Sequence, residues 1–185
     1  RRRVNVTMSS RVLDVDLSAG TIEPRPLNAE MARLFLGGRG LGARLLWDLV
    51  GPEVEPLSAD NALIFCTGPL TGTAFQTSSR FTVSTKSPLT GTVLDANSGG
   101  FWGMRFKRTG YDALIVRGRA DSPRYLEVTP SGAALRDASD LWGKTVPETT
   151  VALGQSSRRS VLCIGPAGEN LVRFAAIMND GTRAL

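Results

Sequence analysis

The chain of 185 residues carries 22 Lys and Arg against 17 Asp and Glu, for a formal charge of +5, and 42% of it is hydrophobic. This is the composition of a globular domain able to bury a core without disulfide or metal staples, and it argues against intrinsic disorder and collagen-like repeats. Histidine is absent, which excludes Ser-His-Asp and Cys-His nucleophile systems, imidazole metal sites and histidine general bases, and leaves carboxylates, Lys, Tyr, Arg, backbone dipoles or a borrowed cofactor.

Strands are expected first. Val4, Val6 and Met8, then Leu13, Val15 and Leu17, alternate with polar residues, and Ser18-Ala19-Gly20 supplies a turn before Thr21-Ile22-Glu23. Asn28 is a helix cap, and Met31, Ala32, Leu34 and Phe35 recur at helical spacing up to Gly37-Gly38. A second helix is expected from about Leu41 to Leu49, closed by Gly51-Pro52. The intervening Gly37-Gly38-Arg39-Gly40-Leu41-Gly42 looks superficially like a dinucleotide-binding loop. That fingerprint follows a strand and has GxGxxG spacing, whereas this run follows a helix, so it reads as a helix-to-helix turn.

Ala62 to Thr67 reads as a buried strand, Arg80 to Lys86 as an alternating one and Thr92 to Asp95 as a short third. Ser98 is placed as the cap of a helix opening at Gly99-Gly100 and carrying Phe101, Trp102, Met104 and Phe106. Ala113 to Arg117 is the next strand, and Tyr125 to Thr129 pairs with Ala133 to Arg136 through Pro130-Ser131-Gly132. Thr145-Val146-Pro147-Glu148 has capping-box spacing with an early proline and opens a helix to about Leu153. Ser160 to Ile164 and Val172 to Ile177 complete the expected strands.

The positive charge points toward an anionic partner such as a phosphate or a nucleotide. Apart from Arg1-Arg2-Arg3, Arg105-Phe106-Lys107-Arg108 and Arg158-Arg159, the basic residues are scattered. No zinc-finger, helix-turn-helix or RNA-recognition signature accompanies them, so no nucleic-acid partner is expected. No apolar run reaches the roughly 18 residues that span a bilayer, and there is no signal-peptide core at the start; a cytoplasmic protein with no membrane partner is expected. Cys66 and Cys163 each sit in an apolar run without CxxC spacing. They read as buried structural thiols, and a zinc or iron-sulfur site built by this chain alone is not expected.

Two internal echoes stand out. Pro-Leu-Thr-Gly-Thr occurs at Pro69 to Thr73 and again at Pro88 to Thr92. An apolar strand followed by Cys-x-Gly-Pro occurs at Cys66 to Pro69 and at Cys163 to Pro166, with Arg80-Phe81 and Arg173-Phe174 shortly after each. Together they suggest two similar halves rather than a solenoid. Thr77-Ser78-Ser79-Arg80 and Asn97-Ser98-Gly99-Gly100 combine small donors, backbone N–H groups and an arginine, the equipment for cradling a phosphate. The same residue types are also ordinary turn formers.

The segments Thr67 to Thr73, Thr85 to Gly91, Ala96 to Gly100, Gly110-Tyr111-Asp112-Ala113, Asp137 to Gly143, Ile164 to Val172 and Arg173 to Gly181 resemble, in this order, the N-terminal domain of the tungsten-containing aldehyde ferredoxin oxidoreductase family. The resemblance runs from about Val4 to Ala184. It implies an α+β fold of two similar intertwined halves, with mostly antiparallel β-sheets and a few short helices, the whole of residues 1–185 forming a base for a bis-pterin tungsten cofactor, or its molybdenum counterpart. The dithiolene sulfurs of the pterins hold the metal in this family, so the lack of histidine is no obstacle.

By motif position, the resemblance places Arg80, Asn97, Ser98, Gly99, Gly100 and Arg183 at the cofactor. It places the backbone oxygens of Asn97 and Ala184 on a magnesium ion bridging the pterin phosphates, in keeping with that ion's preference for hard oxygen ligands. No residue of this chain is expected to be catalytic. The [4Fe-4S] cluster and the acid-base residues of the family belong to downstream domains, and two cysteines cannot hold a four-cysteine cluster. The chain, as a fragment or a free-standing copy, is therefore expected to be inactive alone. The implied partners are downstream domains or a separate subunit carrying the cluster, ferredoxin, an aldehyde substrate and a second copy in a homodimer. The alternative reading is a non-catalytic cofactor-binding or assembly module paired with a separate subunit.

Overall fold

In the computed structural model, residues 10–185 are described; the expected strand at Val4, Val6 and Met8 and the Arg1-Arg2-Arg3 run lie outside the described residues. The main sheet is built from β1 (Arg11–Asp16), β2 (Thr21–Pro26), β3 (Ala62–Thr67), β4 (Phe81–Lys86), β5 (Val93–Ser98) and β6 (Ala113–Arg117), in the order β2-β1-β6-β3-β4-β5. The β1–β6 pair is parallel, and its neighbours in the sheet are antiparallel. Central position explains why the β1 side chains are buried on both faces: Val12 packs to one side, Leu13 and Val15 to the other. Asp14, which points with Val12, is only 4% exposed and is compensated by Arg25 at 2.6 Å and Arg117 at 3.2 Å.

One face of the sheet is covered by α1 (Ala29–Phe35) and α2 (Gly38–Leu49). Asn28 caps α1 as expected, its side-chain oxygen accepting from the N–H groups of Glu30 at 2.8 Å and Met31 at 3.2 Å. The glycine-rich run is not the expected helix-to-helix turn: only Leu36 and Gly37 separate the helices, and Gly38, Gly40 and Gly42 form the first turns of α2, where they serve as a packing device. A Cβ on Gly37, at φ 144°, would stand 2.5 Å from the Thr67 carbonyl oxygen, and one on Gly42 would strike Ser84 on β4. These glycines let α2 lie against β3 and β4, where Leu41, Leu45 and Leu46 join Ile64, Cys66 and Ile115 in the core.

The opposite face packs against α3 (Trp102–Arg108), the hairpin of β7 (Arg124–Thr129) and β8 (Gly132–Asp137), and a small sheet of β9 (Leu162–Cys163), β10 (Met178–Asn179) and β11 (Arg183–Ala184) in the order β11-β10-β9. Trp102 stacks on Phe106 with centroids 5.0 Å apart and meets Phe81 of β4 at 4.6 Å. The helix α4 (Val146–Ala152) starts at the Thr145–Glu148 capping box and packs on β9, and the short α5 (Pro166–Glu169) follows. The architecture is α+β with mostly antiparallel sheets and few helices. In both Cys-x-Gly-Pro echoes the next strand pairs back antiparallel on the cysteine strand, Cys66 opposite Thr82 and Cys163 opposite Met178. No helix among the described residues is long and apolar enough to cross a membrane.

Three further sequence expectations differ from the structure. Ser98 does not cap a helix; it ends β5 opposite Phe81, and α3 begins after Phe101, because pairing with β4 extends the strand through the polar Asp95-Ala96-Asn97-Ser98. Val172 to Ile177 is not a strand. Leu171 has φ 56° and the Ala175 N–H turns back to the Val172 carbonyl at 2.9 Å, so the apolar stretch forms turns before β10. Cys163 is only half-buried, unlike the fully buried Cys66, since β9 belongs to the small outer sheet rather than the central one.

Candidate functional site

The chemistry gathers where β5 leaves the main sheet. Asn97 is exposed at its end, and Arg80, just before β4, donates from Nη1 to the Asn97 side-chain oxygen. The Asn97 amide nitrogen in turn donates to the Phe81 carbonyl at 3.1 Å and to the Thr82 hydroxyl at 3.3 Å. The guanidinium is thereby held over the strand end by a side chain fixed to the sheet. Ser98 is buried below, and the Gly99-Gly100 turn follows.

Gly99 faces open space, for a Cβ there would meet no atom within 4 Å. Gly100 is closed in: its φ is 86°, and a Cβ would lie 3.0 Å from Asp180 Oδ2, 3.3 Å from Arg183 Nη1 and 3.4 Å from Asn179 Nδ2. The turn is thus pressed against the β10–β11 hairpin, in which Asn179 is paired with Arg183 and Met178 with Ala184. The Asn179 amide, with no exposed surface, donates to Ser98 Oγ at 2.9 Å and to the Gly99 carbonyl at 2.7 Å. Asp180 Oδ2 accepts from the Phe101 N–H at 3.0 Å, and Ser79 Oγ donates to the Gly100 carbonyl at 2.6 Å.

All the residues singled out in the sequence therefore fall on one region. Asn97, Ser98, Gly99 and Gly100 form its centre, Arg80 flanks it just before β4, and Arg183 and Ala184 border it on β11. Among the described residues, neither Arg80 nor Arg183 takes part in an ion pair, so two exposed guanidinium groups are left for an anion. Asn97 and Ala184 both lie on strands at the edge of their described sheets, β5 and β11, and an edge strand keeps alternate carbonyl groups out of the ladder. Uncommitted cations, open space over a glycine and edge-strand carbonyls together fit a phosphate-bearing cofactor with a hard divalent cation. Among the described residues there is no cluster of three or more His, Cys, Asp or Glu side chains able to hold a metal.

Ser79 belongs to the Thr77 to Arg80 run whose residue types suit a phosphate, whereas Asn179 and Asp180 carry no such signal in the sequence. Asn179-Asp180-Gly181 has the composition of a tight turn, and only the fold shows that it reaches across to the Gly99 loop. Elsewhere, burial is the main cause that pushes the Cys66 thiol well above its usual range, and the nearby Asp112 carboxylate adds to the effect. Cys66 has no nucleophilic character in this setting.

A family profile described as aldehyde ferredoxin oxidoreductase, N-terminal domain, matches residues 12–185. The chain is 49% identical over 177 residues to a tungsten-containing aldehyde ferredoxin oxidoreductase of Pyrococcus abyssi, covering 94% of this chain and 29% of that protein. It is 34% identical over 188 residues to the WOR-like subunit of an aliphatic sulfonate oxidoreductase of Pyrococcus furiosus, covering 92% of this chain and 30% of that protein. Among solved structures, it superposes with a TM-score of 0.87 and 42% identity on a chain of the active-site complex BamBC of benzoyl coenzyme A reductase in complex with 1,5-dienoyl-CoA, covering 92% of this chain and 27% of that one. The chain thus spans less than a third of the length of each.

Proposed function

Since the chain belongs to the aldehyde ferredoxin oxidoreductase family as its N-terminal domain, we propose that it is the base on which a bis-pterin tungsten or molybdenum cofactor rests in an enzyme oxidising aldehydes to carboxylic acids. The three relatives are named for different substrates, an aldehyde, an aliphatic sulfonate and a coenzyme A thioester, while sharing this domain. A domain common to enzymes of different substrates is suited to binding what they share rather than what they distinguish.

The observation that carries the reading is the Gly99 loop, open above and bordered by the two unpaired guanidinium groups. Arg80 and Arg183 would donate to the pterin and its phosphates, and Gly99 and Gly100 let the cofactor approach the backbone. Ser98 anchors the loop from beneath, and the backbone oxygens of Asn97 and Ala184 would serve the bridging magnesium. When bound, the metal centre supplies the two-electron oxidation; this chain binds and orients. The [4Fe-4S] cluster and the contact with ferredoxin belong to the remaining length of the enzyme, in further domains or a separate subunit.

The test is cofactor occupancy of an Arg80→Ala variant of the full-length protein at matched expression, read as metal content and as pterin fluorescence after oxidation. Loss of charge-assisted hydrogen bonds of this kind is expected to weaken binding about tenfold or more. Arg80→Lys restores only part, because an ammonium lacks the planar fork. A folded Arg80→Ala protein with full occupancy would falsify the reading.

A further inference from the structure

We infer that Asn179, assisted by Ser79 and Asp180, is a positioning residue that holds the Gly99-Gly100 loop and the Arg183-Ala184 strand as a single surface. The inference rests on the reading above, in which both segments face the cofactor. A loop of two adjacent glycines has the greatest freedom to lose on ordering, and Gly99 has no packing neighbour where a side chain would stand. Yet three successive residues of this loop are each tied to a side chain from elsewhere. The Gly99 carbonyl accepts from Asn179 at 2.7 Å, the Gly100 carbonyl from Ser79 at 2.6 Å, and the Phe101 N–H donates to Asp180 at 3.0 Å.

Asn179 is the centre of this clamp. It is completely buried, and its amide nitrogen spends both hydrogens on the β5 exit, the second going to Ser98 Oγ at 2.9 Å. Its oxygen is buried without a partner among the described residues. A buried acceptor left unpaired destabilises the fold, and an apolar side chain of similar size would avoid that cost, so the donating nitrogen is the feature that accounts for an amide here. Asn179 also sits opposite Arg183 in the β10–β11 register, one pair from Met178–Ala184. One side chain therefore fixes the relative placement of the Gly99 loop and the Arg183-Ala184 strand without occupying the open face of either.

The experiment uses the full-length protein isolated with its cofactor and compares Asn179→Ala with Ile115→Val, a core substitution on β6 remote from the loop. Two quantities are read: hydrogen exchange of the peptide covering residues 98 to 104, and the rate of cofactor release followed by metal and pterin content. Asn179→Ala is expected to speed both about tenfold, the scale of a lost buried hydrogen bond, whereas Ile115→Val leaves both unchanged even where it lowers the melting temperature. If Asn179→Ala does not accumulate folded, Ser79→Ala, which frees only the Gly100 carbonyl, is expected to move both in the same direction by a smaller factor. Unchanged exchange, or cofactor release at the control rate, overturns the inference. Retention in the Asn179 or Ser79 variant together with loss in Arg80→Ala sinks the inference alone; retention in Arg80→Ala as well sinks the reading beneath it.

Discussion

The Asn97 carboxamide joins Arg80 to the sheet, accepting from the guanidinium with its oxygen and donating to the Phe81 carbonyl at 3.1 Å with its nitrogen. Replacing Asn97 by alanine keeps the backbone oxygen proposed for magnesium but releases the guanidinium. Asn97→Ala is therefore expected to lower cofactor occupancy less than Arg80→Ala, and the two are expected not to add. In a double-mutant cycle on cofactor affinity, a coupling of about 0.5 to 1 kcal/mol is expected for residues sharing one hydrogen bond. Additive losses would show that Asn97 does not act through Arg80.

The two cysteines are expected to separate in reactivity. Cys66 is fully buried on β3 beneath α2, and burial raises its thiol above the ordinary value of 9.0. Cys163 is half-buried, and its thiol is raised as well, again chiefly by desolvation. In the native protein a thiol reagent should label Cys163 first and Cys66 only on unfolding. Both folded values lie above the unfolded one, so the unfolded chain gives up these protons first. Their contribution to stability is complete below pH 9.0 and declines as pH rises beyond it. Cys66→Ser should flatten that alkaline decline in a pH series of denaturant midpoints.

How far the sequence could be read depended on whether a feature was local. Alternation and apolar runs placed β3 at Ala62–Thr67 and β6 at Ala113–Arg117 with the observed bounds, and Asn28 and the Thr145–Glu148 box marked real helix starts. Pairing partners are not local. Asn97 and Ser98 carry no strand signal and become strand because β4 lies beside them, while Val172 to Ile177 carries one and forms turns. For the candidate site, the loop and Arg80 carry residue types suited to a phosphate, while Arg183 enters only through the family resemblance. Asn179 was not legible, because its reach to Ser98 and Gly99 spans about half the chain and no spacing rule encodes it.

Glu148 makes α4 sensitive to acid. Its carboxylate accepts from the Thr145 hydroxyl at 2.7 Å and the Thr145 N–H at 2.8 Å, and these bonds hold it below the ordinary value of 4.5. The folded state thus binds its proton less readily than the unfolded state. The stabilisation is present above pH 4.5 and is lost as pH falls through the lower folded value. Glu148→Ala should be less stable than the parent at pH 7, with the difference shrinking in acid. A difference that stays constant down to pH 3 would show that the capping carboxylate contributes nothing to the transition measured.

The two neighbouring glycines of the loop offer the sharpest separation of folding from binding. Gly100 has φ 86°, and a Cβ there would approach Asp180 Oδ2 to 3.0 Å. Gly100→Ala is therefore expected to destabilise the domain by about 1 kcal/mol or more, through backbone strain and displacement of the hairpin. Gly99 lies outside the left-handed region, and a Cβ would touch nothing. Gly99→Ala should leave the melting temperature within about two degrees, since surface substitutions free of clashes stay within roughly 0.5 kcal/mol. If the open space above Gly99 is where the cofactor meets the backbone, that silent methyl group will still reduce occupancy, and larger side chains will reduce it further without unfolding the protein. Thermal melts beside metal and pterin content in a Gly99→Ala, Gly99→Val and Gly100→Ala series measure both effects. Full occupancy in Gly99→Val would move the cofactor away from this face of the loop.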